Sequence, residues 1–196
     1  VAVETGFETE PEGAFEELVS RGFLNRDSDN ELLVRFHHVL ARDAVYGTIL
    51  KQNRRFLHSL CADVLVRHQE KDPGLAASIT LHLADAGRIE RAIPWGIRAQ
   101  ELAARRYDGD GVIHWAEKLE EWIGDRLETR DDARLLHEVL KRRSVVEWYR
   151  LHIDRQRETL HRIIHLIEEW YLHDLRAEYL MSMGSMCRRT ADFQEA

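Results

Sequence analysis

Proline is scarce in this sequence, at 3 of 196 residues, and glycine is modest at 11. So few helix breakers leave room for long uninterrupted helices. Cysteine is scarcer still: Cys61 and Cys187 stand far apart, and neither belongs to a CxxC pair. That excludes a disulfide framework and a cysteine-rich zinc site, so both read as small buried hydrophobes in a reducing compartment. No apolar run approaches the roughly 18 residues that a membrane span needs. No charged-then-apolar leader opens the chain at Val1. The expectation is a cytoplasmic chain with no membrane partner.

Chemistry-bearing motifs are missing too. There is no phosphate loop of the GxxxxGKS/T type and no HExxH. No Ser-His-Asp or Cys-His arrangement can be argued. Asp and Glu are spread along every helical segment, so no paired-carboxylate site stands out. His161 and His165 are four apart on one helix face, as metal ligands can be, but no third ligand converges on them. The segment reads as a non-enzyme with no metal and no cofactor of its own.

The charge balance is acidic: 28 Lys and Arg against 35 Asp and Glu, a formal charge of −7. Nucleic-acid affinity rests on clustered cations. Arg54-Arg55, Arg105-Arg106, Lys141-Arg142-Arg143 and Arg188-Arg189 each lie beside acids, as on a solvated helix face. Nucleic acid is therefore not the expected partner.

What is present is helical patterning. Hydrophobic residues make up 44% of the chain and include five Trp, large aromatics suited to helix-on-helix cores. Residues 1–10 are acidic and irregular, a loop. Pro11 to Arg21 predicts a short helix with Phe15, Leu18 and Val19 on one side, stopped by Gly22. Two strands follow, Phe23-Leu24-Asn25 and Leu32-Leu33-Val34-Arg35-Phe36, around turn formers at 26–30. A helix followed by a small hairpin is the second half of a winged helix.

From His38 onward the pattern predicts helices throughout. His38–Leu50 is apolar nearly all round, which predicts burial. Asn53–Gln69 follows, then a helix opened by Asp72-Pro73 and ended at Gly87. The next runs from Ile89 to Tyr107, and Pro94 requires it to start nearer Arg91 or to kink. Gly109-Asp110-Gly111 breaks the chain. Val112, Trp115, Ala116, Leu119, Trp122 and Ile123 then form a stripe of helical period. Further helices are expected from about Asp131 to Arg150, around Leu160–Tyr171, and along Leu172–Cys187.

The helices pair off with short connections. Ala99, Ser144 and Gly184 fall at one small-residue position, spaced 45 and 40 residues apart. Trp115 and Leu160 match the bulky site of the second helix. Near the end, Leu180, Gly184, Cys187, Ala191, Phe193 and Ala196 have the spacing of a tetratricopeptide (TPR) repeat. A strict TPR repeats every ~34 residues, so these helices resemble a divergent, longer version. Gly111, Gln156, Lys118 and Ile163 depart from the usual alanine pattern. The repeat breaks off at Ala196, which reads as an excerpt of a longer array.

The sharpest local pattern is Phe36-His37-His38-Val39-Leu40-Ala41-Arg42-Asp43-Ala44-Val45-Tyr46, followed by Arg54-Arg55-Phe56-Leu57-His58 and by Leu81-His82-Leu83-Ala84-Asp85-Ala86-Gly87. It resembles signal-transduction ATPases of the STAND class, most of all bacterial ones joined to a class III adenylate/guanylate cyclase or a LuxR-type DNA-binding domain. Phe36, His38, Leu40, Ala44, Tyr46, Arg54 and His58 carry the resemblance. It implies a mostly α fold: the C-terminal part of a winged-helix domain over residues 1–50, then a TPR-like right-handed array of helical hairpins over 51–196. It implies an adjoining ATPase domain that binds ATP and ADP, and a protein or small-molecule effector bound by the repeats. It also implies that His38 senses nucleotide, because relatives place a winged-helix His against the β-phosphate of ADP. His38, Leu40 and Asp43 match that spacing, while Val39 replaces an acid. The alternative is that His38 caps its helix or packs under Phe36.

Stacked hairpins curve, with first helices inside. The expected ligand groove is therefore Arg98, Glu101, Arg105, Arg142 and Glu147. The stripe Leu180, Met183, Met186 and Cys187 is expected to lie open and to form a weak homodimer through the C-terminal helix. A winged-helix DNA-binding regulator and a purely structural oligomerisation array stay open as alternatives.

Overall fold

The computed structural model describes residues 11–26, 34–70 and 72–190. The expectations for the loop 1–10, the turn at 27–30, Leu32, Leu33, Ala191, Phe193 and Ala196 lie outside them. Among the described residues the chain is mostly helical, with nine α-helices and one two-stranded ribbon.

Helix α1 is Pro11–Ser20. It stops where Gly22 takes a φ of 74°, left-handed backbone that glycine adopts at least cost. Strands β1 (Leu24–Arg26) and β2 (Val34–Phe36) pair antiparallel, Leu24 opposite Phe36. Arg26 ties the ribbon back to α1 by an ion pair to Glu16 and by lying over the Phe15 ring at 5.3 Å.

Helix α2, Val39–Thr48, differs from expectation. None of its residues is buried: Leu40 is 77% exposed and Val39 57%. Periodicity cannot separate an apolar helix wrapped by its own fold from one that the described residues leave uncovered.

Seven helices follow: α3 (Lys51–His68), α4 (Ala76–Asp85), α5 (Ile89–Arg105), α6 (Gly109–Gly124), α7 (Arg130–Tyr149), α8 (Ile153–Glu169) and α9 (Arg176–Thr190). Each packs on the next in sequence, and α5 also touches α7. The caps explain the boundaries. Asp72 accepts from the Gly74 N–H at 2.8 Å and starts a 3-10 turn over Pro73–Leu75. Thr129 and Asp132 form a reciprocal capping box on α7. Asp108 accepts from the Gly111 N–H at 2.9 Å, so Gly109, Asp110 and Gly111 open α6 and do not break the chain. A Cβ on Gly111 would meet Asp108 Oδ2 at 2.3 Å, so an alanine there would displace the capping side chain. Pro94 sits inside α5, which still begins at Ile89. Ala92 and Gly96, on either side of it, are buried and hold the helix in place.

Four more helices end as α1 does, where the Phe23 N–H bonds back to Leu18 at 2.9 Å. Gly87, Tyr107, Leu151 and Tyr171 follow α4, α5, α7 and α8 with φ of 76°, 58°, 62° and 53°. After each, an N–H bonds back across the turn: Arg88 to Leu83, Asp108 to Ala103, His152 to Glu147, Leu172 to Ile167, at 2.8–3.0 Å. These are Schellman stops, and three use a residue other than glycine.

The main core joins α5 to α9 through residues such as Trp115, Leu119, Leu140, Leu160, Ile167 and Met186. A second cluster, Ala62, Ile79, Leu83 and Ala92, joins α3 to α5. Trp95 and Trp122 pack against both. Trp115 is buried, and Trp148 and Trp170 pack half-buried on the main core, as the composition predicts. Burying a large apolar side chain contributes roughly 1.5–3 kcal/mol, which accounts for the order of these helices. Met183, Met186 and Cys187 are 4%, 0% and 1% exposed. They belong to the core, which corrects the expected open stripe. Of that stripe only Leu180 faces outward, at 52%, beside its neighbour Met181 at 75%.

Candidate functional site

Three helices share one face, because their side chains bridge sequence separations near 40. Lys141 and Arg142 are neighbours on α7 and reach opposite ways. Lys141 Nζ lies 2.6 Å from Glu178 Oε1 on α9, and Arg142 Nη2 donates to Glu101 Oε1 on α5 at 2.8 Å. Next along, Arg98 of α5 donates to Gln69 Oε1 at 2.7 Å and lies over the Trp95 ring at 5.6 Å. A ladder of polar contacts thus runs from the end of α3 through α5 and α7 to α9. Glu178 holds the Lys141 ammonium above its usual range.

Under the ladder, Gln100 is fully buried. Its amide donates to the carbonyls of Val139 at 3.2 Å and Val112 at 3.4 Å. This one side chain locks α5 to α6 and α7.

Two cavities open on this face. The larger, about 460 Å³, lies between the end of α5, the start of α6 and the last turns of α7. Val112, Val145 and Val146 give it an apolar floor, and Tyr107 and Tyr149 rim it, 96% and 78% exposed. The smaller, about 360 Å³, lies between α7 and α9 and includes Trp148 and Met181. Val145 and Tyr149 line both, so the cavities share a wall. Arg150 stands at the larger one and pairs with Asp110 at 2.5 Å, which holds the Asp110 carboxyl below the usual range.

The expected groove residues are divided by this geometry. Arg142 lines the larger cavity and Glu101 holds it. Arg98 is bound to Gln69, and Arg105 is exposed in the last turn of α5. Glu147 is a correction: it is 0% exposed and is not a groove residue. Its carboxylate accepts from Arg143 Nε and from the Thr159 hydroxyl, both at 2.8 Å, inside the α7–α8 contact. Arg143 also reaches Glu120, which Arg162 approaches at 2.5 Å. Burial pushes the Glu120 carboxyl up, and the two arginines pull it down. This is an internal ion network joining α6, α7 and α8. Helical phase already sets position 147 about 140° round from 142, since five residues turn a helix by about 500°.

His38 is exposed at the N-cap position of α2, and its side chain makes no cap hydrogen bond. Its ring stands edge-on to His37 at 4.3 Å, and His37 Nδ1 is 2.8 Å from Asn25 Nδ2 of β1. The capping alternative is thereby removed, and the imidazole is accessible.

Sequence reasoning missed Tyr107, Val145, Tyr149 and Met181. Their signal was present as bulky apolar residues outside the core stripe of their helices. His161 is exposed, and His165 is exposed beside Glu169 at 3.5 Å. Among the described residues, no group of three His, Cys, Asp or Glu is placed to hold a metal ion, and no helix is long and apolar enough to cross a membrane. No protein family, curated protein or solved structure matches this chain.

Proposed function

We propose that this chain is the regulatory segment of a multidomain signalling ATPase of the STAND class, in which TPR-like repeats bind a protein or small-molecule effector and bias a nucleotide-cyclase or transcriptional output. The single observation that carries the binding role is the face of α5, α7 and α9. There two cavities share the wall formed by Val145 and Tyr149, and bulky apolar side chains face solvent. Apolar concavities with a few charged groups at the rim are what ligand sites are made of. The charged groups of the ladder discriminate between effectors, and the apolar floor supplies affinity.

In this reading residues 1–50 end a winged helix and residues 51–196 form the right-handed array. His38 faces the adjoining ATPase domain, where ATP or ADP is held. Its accessible imidazole supports that role, since an N–H can donate to a phosphate oxygen.

Two measurements test the reading. The coding sequence upstream of residue 1 should contain a GxxxxGKS/T loop, and its absence removes the ATPase. In the full-length protein, Val145→Glu and Met181→Glu place charge on the floor of each cavity. Output at fixed nucleotide should change while circular dichroism stays that of the wild type. Output equal to wild type in both variants rejects the binding face.

A further inference from the structure

At the junction of α2, α3 and α4 three rings form a continuous hydrogen-bonded chain. Tyr46 Oη of α2 is 2.8 Å from His58 Nε2 of α3. His58 Nδ1 is 2.8 Å from His82 Nδ1 of α4. Both spacings are those of good hydrogen bonds. Two imidazole nitrogens that face one another this closely cannot both carry a proton, so one donates and the other accepts.

That restriction makes the chain directional. In one neutral arrangement, the Tyr46 hydroxyl donates to His58 Nε2 and the His58 Nδ1–H donates to His82 Nδ1. One added proton is also accommodated. An imidazolium at His58 donates at both ends, to Tyr46 Oη and to His82 Nδ1. A second proton is not. With both rings charged, two N–H groups point at each other across 2.8 Å, and relieving that clash turns the His58 ring away from His82, which carries its Nε2 away from Tyr46 Oη.

We propose that the Tyr46–His58–His82 chain is a pH-sensitive latch between α2 and the helical array, closed while the two imidazoles share at most one extra proton and open when both are charged. The latch matters because α2 has no buried residue, so little else fastens it. It stands independently of the ATPase reading, since it needs only the three rings.

The surroundings set where it opens. From α4, Asp85 Oδ2 lies 3.8 Å from His58 Nδ1. From α3, the Arg54 guanidinium covers the Tyr46 ring at 5.0 Å and disfavours added charge. Arg55 reaches toward Gly87 at the end of α4. Arg42 and Asp43 on α2 neutralise each other at 2.7 Å. Arg88 and Arg91, at the start of α5, are engaged by Asp63 of α3 at 3.7 and 3.2 Å. Burial, and then the nearness of His58, push the His82 imidazole below its ordinary value, while Asp85 opposes them. Opening therefore belongs to mildly acidic pH, with the pair releasing its protons in two coupled steps.

The test is hydrogen exchange on the 196-residue chain at about pH 7.5 and about pH 5, corrected for the intrinsic pH dependence of amide exchange. Protection of the α2 amides should fall about tenfold or more at the lower pH, while α7 and α8 amides keep most of theirs. Tyr46→Phe should show the low α2 protection at both pH values, and His82→Gln should abolish the pH step. A step that persists in His82→Gln, or a wild type without one, overturns the latch. Nitrogen chemical shifts of the wild-type imidazoles provide a check that needs no variant. At neutral pH one of the two facing Nδ1 atoms should be protonated and the other bare, and two alike would also overturn it.

Discussion

Thr159 and Glu147 meet inside the α7–α8 contact, where the threonine hydroxyl donates to the buried carboxylate at 2.8 Å. Glu147 is 0% exposed, and Thr159 is 1% exposed. Removing the hydroxyl in Thr159→Val leaves one carboxylate oxygen without that donor, a loss of about 1–3 kcal/mol. Glu147→Ala goes further, because Arg143 then stays inside with only the more distant Glu120. Breaking a buried pair in this way costs about 3–5 kcal/mol. Urea unfolding of both variants measures this. If Glu147→Ala matched the wild type, Glu147 would be restored to the groove.

The non-glycine stops give a prediction of the opposite sign. Tyr107, Leu151 and Tyr171 hold left-handed backbone that costs an L-residue about 1–2 kcal/mol. Their side chains are 96%, 60% and 68% exposed, so little packing is at stake. Tyr107→Gly should stabilise the chain by about 0.5–1 kcal/mol, the net after the flexibility of glycine is counted. Gly87→Ala, at φ 76°, should destabilise it by a similar amount. Thermal midpoints moving in the other direction would mean that the turns are held by something besides backbone preference. If Tyr107→Gly stabilises the fold yet abolishes effector binding, its strain serves the cavity it rims.

Close approach at Gly96 is a third point. A Cβ there would meet Leu119 Cδ2 at 3.0 Å and Thr80 Cγ2 at 3.4 Å. Gly96→Leu should therefore destabilise by about 1–3 kcal/mol through overpacking. The same change at Gly184 should be far milder, since a Cβ there meets only Arg188 Nη1, at 3.8 Å. Equal losses at the two sites would show that Gly184 is as crowded as Gly96.

His137 predicts a pH dependence. It is 2% exposed in the core of α7, and burial holds its imidazole below the ordinary value of 6.5, against the pull of Glu138 and Glu178. Below about pH 6.5 the unfolded chain takes up a proton that the folded chain resists, so stability falls as pH drops. His137→Leu should flatten the part of that slope that His137 supplies. Denaturation midpoints at several pH values decide it, and identical slopes in both proteins would count against it.

The chain order of helices was legible in the sequence, because apolar periodicity and caps are local. Asp72-Pro73, the α6 stripe from Val112 to Ile123, and α7 all lie where their residues place them. Local chemistry misled where neighbours decide. Gly109-Asp110-Gly111 reads as a break until Asp108 is seen capping Gly111. Helix α2 reads as buried, yet the described residues bury none of its side chains. Glu147 and Arg142 are equally polar in sequence. Only the approach of Thr159 across the helix contact makes one of them core and leaves the other at a cavity. Periodicity encodes which residues avoid water. Which charges meet across forty residues depends on how the helices stack, and no local pattern carries that distance.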